Sequence, residues 1–203
     1  MALFITFEGG EGSGKTLQTR ALHRKLAGLA IPALLTHEPG GTPTGEKIAR
    51  WLKQAQEISI SPLTELLMFN ASRAQLVEEV IQPNLKMGKV VICDRYADST
   101  IAYQSWGRGL DLELVRTVNN AATRGLKPAL TVLLDIQAET GLTRKEQKGH
   151  DRFEQEDIIF HRRVKEGYLK LANDEPERWL VIDASQSKAK IRNIIWQRVS
   201  QLL

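Results

Sequence analysis

The chain has one cysteine, Cys93, in 203 residues. That excludes an intrachain disulfide and any metal cluster built on thiolates. Its neighbours Val90, Val91 and Ile92 predict a buried, inert thiol rather than a nucleophile. No apolar run approaches the roughly 20 residues needed to cross a bilayer. The stretch Met1-Ala2-Leu3-Phe4-Ile5-Thr6-Phe7-Glu8 lacks the basic flank and cleavage pattern of a signal peptide and reads as a first strand. A soluble protein of the reducing cytoplasm, without a membrane partner, is expected. Internal repeats, low-complexity tracts and a Ser/Gly-rich linker are also missing, so one domain spanning 1–203 is expected. The four histidines show no metal-ligand spacing. Neither sign of charge dominates: 28 Lys and Arg against 24 Asp and Glu leave +4. The mild excess suits an anionic ligand, whether nucleotide, nucleic acid or acidic lipid.

Hydrophobic residues make up 42% and charged residues 26%, a balance that excludes a disordered or coiled-coil chain. Five short apolar runs read as strands: Leu3 to Phe7, Ala33 to Thr36, Val90 to Cys93, Leu130 to Leu134 and Trp179 to Ile182. They do not alternate with polar residues, as expected of strands covered by helices on both faces. Helical patterns separate them: Lys15 to Leu29 (Leu17, Ala21, Leu22 and Leu26 on one face), Gly45 to Gln56, Pro62 to Met87, Leu112 to Arg124, Gln155 to Ala172 and Ser187 to Leu202. This order predicts βαβ crossovers and an α/β fold with a parallel sheet. Glu38 to Thr44, Asp94 to Asp111 and the charged stretch Gly141 to Phe153 read as loops.

Gly9-Gly10-Glu11-Gly12-Ser13-Gly14-Lys15-Thr16 fits GxxxxGK[ST] in full. Its glycines let successive amides turn inward as a phosphate cradle, and the following helix adds unpaired N–H groups. Lys15 supplies a charge to the β- and γ-phosphates, and the Thr16 hydroxyl can ligate Mg²⁺. Asp94, closing the third apolar run, is either a metal-holding carboxylate beside that loop or a capping Asp. Asp135 repeats the pattern at the next strand with a weaker claim. These parts bind ATP or GTP. With no Asn-Lys-x-Asp sequence and no long coupling domain, a transferase acting on a small acceptor fits best.

Further segments narrow the acceptor. Phe7-Glu8-Gly9, Glu38-Pro39-Gly40-Gly41-Thr42, Asp94-Arg95-Tyr96 with Ser99 and Ala102-Tyr103-Gln104, and Asp151-Arg152-Phe153-Glu154 occur in this order. The set resembles the bacterial thymidylate kinase family, from Phe4 to about Gln186. The resemblance implies a three-layer α/β/α phosphate-loop fold with a five-stranded parallel sheet, a short mobile lid at about 141–153 and a homodimer. It implies transfer from ATP to dTMP with Mg²⁺, yielding ADP and dTDP for dTTP supply.

By the same resemblance, Arg95 pairs with the dTMP phosphate. Phe69 stacks on thymine while Arg73 hydrogen-bonds its exocyclic oxygen. Ser99, Thr100, Tyr103 and Gln104 line the pocket with Glu38, and Tyr103 excludes a 2′-hydroxyl. Glu11 points toward the acceptor or a metal-bound water. Arg144 and Arg152 are the favoured lid cations, with Lys148 as substitute where an arginine is common. Asp183-Ala184-Ser185-Gln186 lies beside adenine. Read without the family, Phe69 is core, Arg95 a surface ion pair, Tyr103 half-buried packing and Asp183 to Gln186 a capping turn. Leu17 is expected only to pack; Lys165 and the pair Arg162-Arg163 read as a solvated helix face. Another nucleotide or deoxynucleoside kinase is the nearest alternative. A nucleotide-dependent nucleic-acid-binding protein lacks the aromatic-plus-basic platform it would need, so no nucleic-acid partner is expected.

Overall fold

The computed structural model describes residues 2–54, 59–144 and 152–203. Five parallel strands form one sheet in the order β2-β3-β1-β4-β5: β1 (Leu3–Glu8), β2 (Ala33–His37), β3 (Val90–Asp94), β4 (Leu130–Asp135) and β5 (Trp179–Asp183). All five expected strands are present, and each runs one residue further, onto a polar side chain: Glu8, His37, Asp94, Asp135 and Asp183. Apolar patterning ends where the strands meet the ligand-binding edge, so pattern alone truncates them there. The chain leaves β1 for β2 and β3 on one side and enters β4 on the other. This order opens a crevice at the carboxyl end of β1, where ligands of open α/β sheets bind.

Helices α1 (Lys15–Gly28) and α9 (Lys188–Ser200) cover one face. There Leu22, Leu26, Ile191, Ile195 and Val199 pack on Leu3, Ile5, Phe7 and Leu130. The other face takes α3 (Pro62–Leu76), which continues through a π-helical turn (Val77–Ile81) into α4 (Gln82–Lys86). It also takes α8 (Ile158–Asp174), through Phe160, Val164 and Tyr168. Helix α2 (Pro43–Gln54) packs on α3, and α6 (Leu112–Thr123) flanks it. Side chains cap the helices as their sequences suggest: Ser61 for α3, Asp111 for α6, Asp157 for α8 and Ser187 for α9.

Several expectations need correction. The stretch Asp94 to Asp111 is largely helical, with α5 (Ala97–Thr100) running into a π-helical segment (Ile101–Gly107). The wider π spacing breaks the 3.6-residue apolar period, so no amphipathic pattern announces it. Gly141 to Thr143 close a helix, α7 (Ala138–Thr143), rather than opening a loop. Helix α8 begins three residues after the expected Gln155. Leu17 is 42% exposed, because α1 buries Lys15, Gln18, Thr19, Leu22 and Leu26 instead. Lys165 is half-buried and paired with Asp135 at 3.0 Å, so it is not part of a solvated face. Cys93 is buried and its thiol is pushed up by burial, an inert group. Among the described residues, no helix is long and apolar enough to cross a membrane.

Candidate active site

The phosphate loop leaves β1 at Gly9, whose φ of 139° is closed to other residues. A Cβ there would also stand 2.5 Å from the Leu134 carbonyl oxygen. Gly12 and Gly14 take positive φ as well, at 65° and 94°. No side chain caps α1, so its first amides face the loop. Lys15 is buried, and Nζ donates to Gly9 O at 2.9 Å, Gly10 O at 2.8 Å and Ser13 Oγ at 3.3 Å. Burial, then the nearby Arg95 guanidinium, lowers its pKa to about 8.

At the loop's end Thr16 Oγ1 donates to Asp94 Oδ2 at 2.6 Å. A hydroxyl and a carboxylate oxygen together suit Mg²⁺, which takes one or two carboxylates and completes its shell with water and substrate phosphates. Among the described residues, no group of three or more His, Cys, Asp or Glu could hold a metal by itself. A divalent ion here would complete its shell with water and phosphate oxygens.

Arg95 follows β3 with φ 69°, and its own amide is held by Phe7 O at 2.9 Å. Its side chain is 17% exposed, so this is no surface ion pair. Nη2 donates to Glu11 Oε1 at 2.6 Å and Tyr103 OH at 3.1 Å. Nη1 donates to Gly9 O, Ser99 Oγ and Tyr168 OH at 3.1–3.2 Å. Burial disfavours the charge, but Tyr103, Glu11, Tyr168 and Glu8 outweigh it and raise the pKa. Arg95 therefore stays a cation, aimed at the junction of loop and cleft.

Beyond Arg95 the cleft reaches Phe69 and Arg73 on α3, one turn apart as their spacing predicts. Phe69 is half-buried, 5.6 Å from the Phe153 ring, rather than core. Arg73 is almost fully buried, and all its donors meet protein acceptors: Glu38, Asn70, Asn119, Tyr96 O and Thr100 Oγ1. The Glu38 pair is 2.6 Å long. Arg73 would have to release one of these partners to reach a base. Tyr103 sits among the Phe153, Phe160 and Tyr168 rings, and its hydroxyl donates to Glu11 Oε1 at 2.8 Å. Gln104 donates to Glu65 Oε1 at 2.7 Å.

Phosphate-loop and Arg95-side residues thus line a single cleft of about 740 Å³, a size typical of small-ligand sites. Arg144 is at its rim, exposed, with Nη1 donating to Ala184 O at 3.2 Å. Arg152 is elsewhere: its guanidinium binds Glu65 and lies over the Phe153 ring. Lys148 lies outside the described residues. Asp183 turns its own loop by accepting the Ser185 amide at 2.8 Å.

Two close approaches tie loop to rim. A Cβ on Gly141 would lie inside the van der Waals shell of Glu11 O, and one on Gly12 inside that of Gly141 O. Three contributors went unassigned in the sequence: Glu8, Glu65 and Tyr168. Glu8 carried a signal, a lone carboxylate ending an apolar strand. Tyr168 carried none, since it meets the site from a helix distant in sequence.

The family model described as thymidylate kinase matches residues 7–195. The chain is 54% identical over 203 residues to a thymidylate kinase of Dehalococcoides mccartyi strain CBDB1, covering 100% of this chain and 98% of the relative. It is 48% identical over 200 residues to that of Deinococcus radiodurans, covering 98% and 97%. The crystal structure of thymidylate kinase from Ehrlichia chaffeensis aligns with TM-score 0.81 and 32% identity over 98% of each chain.

Proposed function

Since the chain belongs to the thymidylate kinase family, we propose a complete reading of its cleft: it transfers the γ-phosphoryl group of ATP to the phosphate of dTMP. The observation that carries this reading is the junction of two half-sites at Glu11 and Arg95, within one cleft. On one side, loop amides and Lys15 suit the donor's triphosphate. On the other, Arg95 suits an acceptor that already bears a phosphate, with Phe69 available as a flat face for its base. Phosphoryl transfer to an ionised phosphate needs no strong base; it needs alignment and neutralised charge.

Lys15 and Arg95 provide two cations from the floor, and Arg144 a third from the rim. Thr16 and Asp94 would hold Mg²⁺, which when bound neutralises charge on the donor phosphates. Glu11 and the Tyr103 hydroxyl keep Nη2 of Arg95 in plane beside the acceptor. The Tyr103 ring fills the space where a ribose hydroxyl would project. Arg152, engaged by Glu65, contributes less directly. Both half-sites hang on one sheet, which supports reading the chain as one domain.

Our reading includes a homodimer and a cytoplasmic location. Leu63 and Leu67, one turn apart on α3, are about half exposed, and the neighbouring helices α2 and α6 expose Trp51 and Leu114; exposed apolar side chains of this kind support a second copy as partner. The reading is tested by ADP release with dTMP, thymidine, dCMP, UMP and AMP offered in turn. Turnover is expected with dTMP; turnover on thymidine with none on dTMP would overturn it.

A further inference from the structure

Glu8 is wholly buried at the end of β1, and the transfer as described does not use it. Its Oε1 accepts the Tyr96 amide at 2.8 Å. Its Oε2 accepts Ser99 Oγ at 2.5 Å and Tyr168 OH at 3.1 Å. Those two hydroxyls stand 2.8 Å apart, and Nη1 of Arg95 donates to both. A carboxylate can only accept. It therefore draws the hydroxyl hydrogens toward itself and leaves their lone pairs for the guanidinium. An amide at the same place would offer N–H to the hydroxyls and turn their hydrogens against Arg95.

We infer that Glu8 is a positioning residue. Acting through Ser99 and Tyr168, it sets the hydrogen-bond polarity that anchors Nη1 of Arg95, so that Nη2 stays directed into the cleft. The inference rests on the reading of Arg95 as the partner of the acceptor phosphate.

The surroundings of Glu8 make the device sensitive to pH. Burial, then the Asp98 carboxylate, raises its pKa to about 7, against the opposing pull of Ser99, Arg95 and the Tyr96 amide. Lys15, Arg73, the Cys93 thiol and the Tyr168 hydroxyl also feel it. Once protonated, Glu8 becomes a donor and the relay loses its direction.

The test is Glu8→Gln, alone and combined with Tyr168→Phe, with ATP and dTMP varied separately from pH 5.5 to 9. Loss of one oriented hydrogen bond predicts a fall in kcat/KM for dTMP of roughly tenfold, with the KM for ATP nearly unchanged. The double variant should be little worse than the poorer single one. Wild type should lose activity below about pH 7, while Glu8→Gln keeps only the substrate's own phosphate ionisation near about 6. Effects that multiply in the double variant, or that fall equally on ATP, would overturn the inference. Should Glu8→Gln fail to fold, Ser99→Ala combined with Tyr168→Phe removes both relays and leaves the carboxylate. It must show the same dTMP-selective loss, and wild-type dTMP kinetics there would overturn the inference. Arg95→Lys measured in parallel separates the two readings. If it spares dTMP binding, the assignment of Arg95 fails; if only the Glu8 variants spare it, the relay alone fails.

Discussion

Arg95 and Glu11 face each other across the floor of the cleft, Nη2 to Oε1 at 2.6 Å, with the Tyr103 hydroxyl bonded to both. An anion of the acceptor would enter where this carboxylate already holds the guanidinium. Lysine at 95 would keep the charge but lose the planar fork and most of these contacts. We expect Arg95→Lys to lower kcat/KM for dTMP by about 100-fold, the scale of two charge-assisted hydrogen bonds. Steady-state kinetics at saturating ATP check this, and a change under about threefold would contradict it.

Tyr103 lines the cleft, and on our reading Tyr103→Ala opens the side that receives the sugar. Comparing dTMP with its ribose counterpart isolates the 2′-hydroxyl, and their kcat/KM ratio should shrink by roughly tenfold. An unchanged ratio would move the sugar gate to another residue.

The free Lys15 ammonium is depressed to about 8 by burial and by Arg95. It is therefore partly neutral at pH 8.5, and a triphosphate beside it must raise its pKa. Nucleotide binding at pH 8.5 should take up about three quarters of a proton, falling toward zero below pH 7. Calorimetric titration of ATP in buffers of differing ionisation enthalpy reads the uptake. Binding heats that ignore the buffer at pH 8.5 would contradict it.

Gly141 and Gly12 touch through their backbones, which sets the spacing between the phosphate loop and Arg144, three residues on. Gly141→Ala places a methyl against Glu11 O. Overpacking of this kind costs about 1–3 kcal/mol. The variant should lose thermal stability and raise the KM for ATP several-fold, with dTMP affinity retained. Wild-type stability together with wild-type kinetics would show the contact to be slack.

For Glu8 the linkage has a definite sign. Its folded pKa of about 7 lies above the ordinary 4.5, so the folded state holds a proton that the unfolded chain releases between those values. Wild-type stability relative to Glu8→Gln should fall as pH rises through that window, by up to about 3 kcal/mol. Parallel denaturant melts at pH 4.5 and 8 check it; a constant difference would contradict it.

The phosphate loop and Asp94 were legible in the sequence because their chemistry is local, packed into eight consecutive residues and one strand end. All five strands were legible from their unbroken apolar runs. What escaped depends on distance along the chain. Glu8 meets Ser99 and Tyr168 across separations of 91 and 160 residues, and no short motif records such a meeting. The helical character of 97–107 escaped because π turns erase the usual periodicity. Leu17 misled because the phosphate loop, not apolar content, sets which side of α1 is inward.

The central claim is that one cleft seats donor and acceptor phosphates facing each other across Glu11 and Arg95. The most direct measurement is inhibition by an adenosine–thymidine polyphosphate, a single molecule spanning both half-sites. Competition with ATP and with dTMP alike is the predicted result. Inhibition competitive with one substrate and noncompetitive with the other would contradict the shared cleft.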